Sequence, residues 1–306
     1  MNFSIENALI TGRFLISLKT KGSDFLKTAR VFPRKTNATP DDELAFTTPP
    51  PKTLPDISEV HISVTFTYDM ENAEQLAEAW SKTGLPIKMG GAAMGDAGGD
   101  FTPGMYLKHG HVITSRGCHN FCWFCDVHRR EGNVRELPIT DGWIVNDSNI
   151  LACSENHIRE VFEMLSRQPN KPIFSGGLDS RLLSEWHVDF LREAKTERMY
   201  FAYDNEGDLE PLVHAGRLLR NGGIKDSSGH KLKCYVLIGY PNDTMDKAEK
   251  RLIDAWRAGF WPYAMLYHDE KGETAEDWRV FQRAWLRPQI VYHKLKETVS
   301  KEDRYL

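Results

Sequence analysis

The sequence predicts an α/β protein: a parallel sheet, curved or closed as an incomplete (β/α)6 barrel, preceded by a small βαβ unit. Three observations carry this reading. From about residue 109 onward, short runs of β-branched and aromatic residues take turns with amphipathic stretches. A glycine-rich link, "GGAAMGDAGGDFTPG" (90–104), separates this alternating region from an earlier strand–helix–strand pattern. Strands joined through helices pair in parallel, and right-handed crossovers lay the helices on one face of the sheet.

Residues 1–56 show no clean periodicity and end in the proline-rich "TTPPPKTLPD" (47–56), so they are expected to form an irregular arm and an extended connector. The unit at 57–105 begins with "EVHISVTFTY" (59–68), which alternates as a strand does. "ENAEQLAEAWSKTG" (71–84) has helical spacing with Gly84 as its C-terminal cap, and "PIKMGG" reads as a second strand. The barrel region, 106–270, then starts with the strand "GHVITS" (110–115). Next come "GWIVND" (142–147) with the helix "SENHIREVFEMLSRQ" capped by Ser154, and "KPIFSGG" (171–177) with "SRLLSEWHVDFLREAK". "RMYFAYD" (198–204) pairs with "DLEPLVHAGRLLRNGG", "KCYVLIGYP" (233–241) with "TMDKAEKRLIDAWRAG", and "WPYAMLY" (261–267) is the sixth strand. Residues 271–306 form a helical extension. Its aromatic residues, at helical spacing within "WRVFQRAWLRPQIVYHKLKE" (278–297), are expected to pack across the open edge or bottom of the sheet.

Composition bounds the function. The chain has 306 residues, 41% hydrophobic and 27% charged, enough for one large or two medium domains with a sizeable core. No apolar run is long enough to span a bilayer and the N-terminus lacks a leader pattern, so no membrane partner and a cytoplasmic location are expected. A net charge of -4 offers no global attraction for a polyanion, so a nucleic-acid substrate would need a local basic groove. The five cysteines are odd in number and clustered, unlike a secreted disulfide framework. Reduced thiols that bind something are the expectation.

The cluster is "GCHNFCWFC" (117–125), which spaces Cys118, Cys122 and Cys125 as C-x3-C-x2-C directly after the first barrel strand. In a parallel barrel the chemistry sits at the C-terminal ends of the strands, where this loop falls. Three thiolates at this spacing can wrap one corner of a cuboidal iron–sulfur cluster, and a missing fourth ligand leaves one iron open to a small molecule. With His128 as fourth ligand the same residues would suit a tetrahedral structural zinc, which makes a non-catalytic zinc adaptor the competing reading.

At these residues the chain resembles the radical S-adenosylmethionine (SAM) superfamily, whose signature is C-x3-C-x2-C after the first strand of a partial barrel, with an aromatic residue before the last cysteine; Phe124 fills that place. The resemblance implies a 4Fe-4S cluster on Cys118, Cys122 and Cys125, and SAM bound at its open iron and reductively cleaved to a 5′-deoxyadenosyl radical that abstracts hydrogen from a substrate. A reductant such as flavodoxin or ferredoxin is implied as partner. A nucleobase, a small metabolite or a peptide all remain open as substrate, with the first two favoured. "VLIGYPNDT" (236–244) is similar to a fifth-strand motif whose glycine and proline, here Gly239 and Pro241, cradle adenine with Phe124. Asp147 in "VNDSN" matches an acid that receives the SAM amino group. Its rival is "SGGLDSR" (175–181), where Gly176 and Gly177 are similar to a glycine motif and Asp179 or Arg181 would touch the methionyl group. Tyr203 and Asp204 in "FAYDNEGD" occupy the place of ribose and carboxylate contacts. A degenerate relative that keeps its cluster only for structure or electron transfer is a third reading.

The βαβ unit resembles a degenerate cobalamin-binding domain, but "FTYDMENAE" holds no histidine to serve as lower axial ligand, so a histidine-held cobalamin is not expected. The unit is expected to be structural or to shape the substrate pocket. Cys153 and Cys234 are expected to be buried small hydrophobes, and the scattered histidines form no zinc or triad pattern. Arg129, Arg130 and Arg135 follow the cysteines; a solvated face is the commoner role for such a run, a phosphate contact the alternative.

Overall fold

The computed structural model describes residues 27–226, 230–269 and 272–298. The chain divides into two compact units, one taking in residues up to His111 with Asn120–Gly132, the other Val112–His119 with the chain from Asn133 on.

The first unit holds a four-stranded parallel sheet of β1 (Thr28–Val31), β2 (Ala45–Phe46), β3 (Glu59–Ser63) and β4 (Ile87–Gly90), in the order β2-β1-β3-β4. Helix α1 (Met70–Ser81) joins β3 to β4 as expected, and Gly84 follows it with a positive φ of 76°. The expected irregular arm is corrected over part of its length: β1 is an inner strand of this sheet, between β2 and β3. Residues 1–26 of that arm lie outside the described residues. β1 escaped notice because it is short and carries Arg30 in its middle. That arginine is only 2% exposed, ion-paired to Asp42 and donating from Nη1 to the Gly104 carbonyl at 2.8 Å. The other face of the sheet packs Ala29, Val31, Val60 and Ile62 against Ala73, Leu76 and Trp80 of α1. Trp80 is fully buried, and its indole donates to the Thr48 carbonyl at 3.1 Å, so the proline-rich connector is held down at its start.

The second unit contains the six-stranded sheet. Strand β5 (His111–Val112) leads into a small antiparallel pair, β6 (Ser115–Arg116) and β7 (Arg135–Glu136). In sequence the cysteines and the one-turn helix α2 (Val127–Arg130) fall between β6 and β7. β8 (Ile144–Val145), β9 (Ile173–Phe174), β10 (Arg198–Ala202), β11 (Leu232–Ile238) and β12 (Trp261–Leu266) follow, and the order across the sheet is β12-β11-β10-β9-β8-β5. Neighbours from β8 to β12 pair in parallel. Every strand expected after residue 109 is present, although all are shorter than their sequence runs and the first three are only two residues long. The spatial order follows the chain order, so the sheet has no point at which its winding reverses.

Helices α3 (Glu155–Ser166), α4 (Glu185–Glu193), α5 (Leu209–Asn221) and α6 (Met245–Arg257) alternate with the strands. Ser154 caps α3 as expected, accepting from the His157 N–H at 3.3 Å, which satisfies one of the helix's orphan donors. In α3 the residues Ile158, Val161, Phe162 and Leu165 are buried, the spacing of one helical face. The extension forms α7 (Glu276–Trp285) and α8 (Pro288–Thr298); α7 packs on the edge strand β12, where Gln282 donates to the Ala264 carbonyl at 3.1 Å. An exposed edge invites another strand, and a helix laid beside it blocks that pairing. Among the described residues, no helix is long and apolar enough to cross a membrane.

Candidate functional site at the strand exits

Cys118 follows β6 with only Gly117 between them, at a positive φ of 86° that a larger residue rarely adopts. Its sulfur accepts an N–H from Asn149 at 3.6 Å. In the first unit, Cys122 and Cys125 share a tight turn in which the Cys125 N–H donates to the Cys122 carbonyl at 3.1 Å. Phe124 packs edge-on against Trp123, while Phe121 stands 77% exposed and touches the His128 ring. None of the five cysteines forms a disulfide, and the three of the motif are half-buried. Among the described residues, no three His, Cys, Asp or Glu side chains converge as a metal site. By residue type, three cysteines with a buried amide N–H on the first are donors of the kind an iron–sulfur cluster takes.

In the second unit, Asp147 leaves the end of β8 and is 1% exposed. Its carboxylate accepts from the Thr114 N–H at 2.7 Å, the Thr114 hydroxyl at 2.6 Å and the Ser115 hydroxyl at 2.7 Å. Burial raises its pKa and these three donors oppose the rise. The expected role as amino-group acceptor is therefore corrected: the carboxylate is enclosed and committed to the backbone that leads to Cys118. His157 supports the same segment, its Nε2 3.0 Å from the Thr114 carbonyl. Cys153 lies close by, and burial pushes its thiol to about 11, in keeping with an inert small hydrophobe.

Gly176 and Gly177 are required by the backbone. A Cβ on Gly176 would meet the Asp147 carbonyl oxygen at 2.0 Å, and Gly177 has a φ of 103°. Two residues further on, the rival cluster is assembled. Asp179, its side chain 6% exposed, accepts from Arg181 Nε at 2.9 Å and from Asn149 Nδ2 at 3.2 Å. Asn149 therefore bridges Cys118 to the Asp179–Arg181 pair. The amide is 4% exposed and its Oδ1 is buried without a hydrogen-bond partner. Sequence reasoning missed Asn149 because an asparagine beside a strand end resembles any turn residue, and only folding aims it at a cysteine.

At the fourth and fifth strands, Tyr203 is 2% exposed and belongs to the core, so its expected ribose contact is corrected. Asp204 accepts the Leu237 N–H at 3.0 Å, and burial lifts its carboxyl to about 6. Gly239 sits at a φ of 74°, and a Cβ there would meet Trp278 at 3.0 Å. An indole from α7 thus packs against Gly239, while Pro241 is exposed in the turn. The turn is held by the buried Asp243–Arg251 pair at 2.8 Å, with Arg251 also donating to the Leu237 carbonyl at 2.9 Å. Nothing in "NDTMDKAEKR" signals that pair except an acid and a base eight residues apart. Cys234 is fully buried, as expected.

No protein-family model matches the chain, and no curated protein matches it.

Proposed function

We propose that the protein is a radical SAM enzyme whose six-stranded sheet curves into a partial barrel. The observation that carries this reading is the meeting, at the exits of the first three strands, of the first motif cysteine with a polar chain, Cys118–Asn149–Asp179–Arg181, in which Asn149 and Asp179 are buried and Arg181 reaches solvent. An unbroken strand order supports the barrel, since strands wound in one direction leave one sheet face for the helices and the other for a lumen.

In this reading Cys118, Cys122 and Cys125 would hold a 4Fe-4S cluster, which would supply the electron, drawn from a flavodoxin or ferredoxin, for the reductive cleavage of SAM. The chain's own residues do the rest. The Asn149 N–H donates to the Cys118 sulfur and orients it. The open Oδ1 of Asn149 accepts from the methionyl ammonium, taking the part first expected of Asp147. Arg181 pairs with the methionyl carboxylate and Asp179 fixes the guanidinium for it. Asp147 positions the strand end that carries Cys118, and Gly239 and Trp278 offer adenine a flat wall.

The test is the content of iron, acid-labile sulfide and zinc per chain in protein purified without oxygen. About four irons and four sulfides are expected. One zinc without sulfide would replace this reading with the zinc adaptor, and a full cluster with no SAM binding would replace it with a structural or electron-transfer role.

A further inference from the structure

The six-stranded sheet has two unlike faces. Along β11, Leu232, Cys234, Val236 and Ile238 are buried, while Lys233, Tyr235 and Leu237 alternate with them on the opposite face and are half-buried. The register brings Tyr200 beside Lys233, Tyr235 beside Tyr263, and Leu237 beside Met265. The Tyr200 and Tyr235 rings stack at 4.7 Å and 13°, and Tyr263 meets Tyr235 edge-on at 5.7 Å. Tyr263 is 37% exposed and Met265 is 40% exposed, so this aromatic face is open to solvent.

Two basic groups, with the Asp226 carboxylate near Lys233, lie at one end of this face. Lys233 and Arg198 stand at the N-terminal ends of adjacent strands; burial and the Arg198 charge lower the Lys233 pKa. Lys233 lies over the Trp261 ring at 5.7 Å, and the Arg198 Nε is buried without a hydrogen-bond partner. The nearest acid to Arg198 is Glu197, at 3.8 Å and half exposed. A face built only for packing would carry aliphatic side chains, whereas two basic groups at the end of a tyrosine ladder are complementary to an anion attached to a flat ring.

We propose that this face binds a nucleotide, its base stacked on Tyr200, Tyr235 and Tyr263 and its phosphate directed to Lys233 and Arg198. Two residues of strand, about 6.6 Å, separate Lys233 from Tyr235, a spacing suited to a base and its own 5′-phosphate. The proposal rests on the reading above, whose substrate class it names. Binding itself needs neither cluster nor SAM, so the two can fail separately.

The experiment is isothermal titration of the full chain, free of metal, with the common 5′-mononucleotides, their nucleosides, and single-stranded trinucleotides. Saturable binding of at least one mononucleotide is expected, with its nucleoside weaker by about tenfold. Tyr235→Leu should weaken binding of both by about tenfold or more, with Tyr263→Leu as the second variant should the first fail to fold. Lys233→Gln should weaken the nucleotide and leave the nucleoside unchanged. A trinucleotide that binds tighter than the mononucleotide identifies a nucleic-acid strand as the source, and equal binding identifies a free nucleotide. No binding of any phosphorylated probe, or binding that folded Tyr and Lys variants leave unchanged, overturns the proposal.

Discussion

The two parallel sheets of this chain place their charges differently. In the first unit, ionic groups lie within the strands: Arg30 is buried mid-strand against Asp42, and in β3 His61 contacts both Tyr106 at 2.7 Å and Glu59 at 3.0 Å. In the second unit, the acids and glycines gather where strands end, at Asp147, Gly176, Asp179, Asp204 and Gly239. A charge inside a strand needs a built-in partner and is spent on holding the sheet, because an uncompensated buried charge is costly. A polar group at a strand exit can keep one hydrogen-bonding side open to a ligand. Asn149, with its unpartnered Oδ1, is such a group.

That contrast can be broken by experiment. The largest effect is expected from Cys122→Ala, which should abolish the cluster and all SAM cleavage; iron loading equal to the parent protein would remove Cys122 from the ligand set. Asp243→Ala is next, since it strands the buried Arg251 guanidinium. A loss of about 3–5 kcal/mol in denaturant unfolding is expected, and a loss near zero would mean that Arg251 finds water.

Asp204→Asn sharpens the comparison through pH. The carboxyl moves from an ordinary 3.8 to about 6 on burial, so between these values the folded chain holds a proton that the unfolded chain has released. Stability is thus greatest below this window and falls as pH rises through it. The variant should flatten that fall in unfolding curves recorded from pH 4 to pH 7, and an identical slope in both proteins would disprove the burial of this charge. Arg30→Met should have the smallest effect, under about 1.5 kcal/mol, because a similar-sized apolar chain can replace a buried ionic staple and Asp42 is half-exposed to water. A large loss there would show that the strand charge in the first unit is as constrained as those at the strand exits.

The second sheet was legible because its strands are bounded by glycine and acid clusters and separated by helices with clear periodicity, as at Ser154 and the α3 face. The first sheet was half legible. α1 and β3 follow their patterns, but β1 is four residues long, and β2 is too short to show any period. At the candidate site the cysteine spacing is visible in the sequence, and so are the acid and base of the Asp179–Arg181 segment, which the fold pairs at 2.9 Å. Tyr203 and Asp147 were misread because a residue's number along a strand says nothing about which way it faces at the strand's end, where the pleat gives way to a turn.

By itself, the sequence determined the alternating α/β plan, the expected strands of the second sheet, the C-x3-C-x2-C spacing and the capping of α3. These depend on neighbours within a turn or a strand, so local periodicity and hydrogen bonding carry them. Tertiary structure alone decided that Asn149 would reach Cys118, that Asp147 would close on Thr114 and Ser115, and that Gly176 must lack a side chain. Each of these joins residues about 30 apart in the chain, and which of many distant polar groups will meet is set by how the strand ends pack.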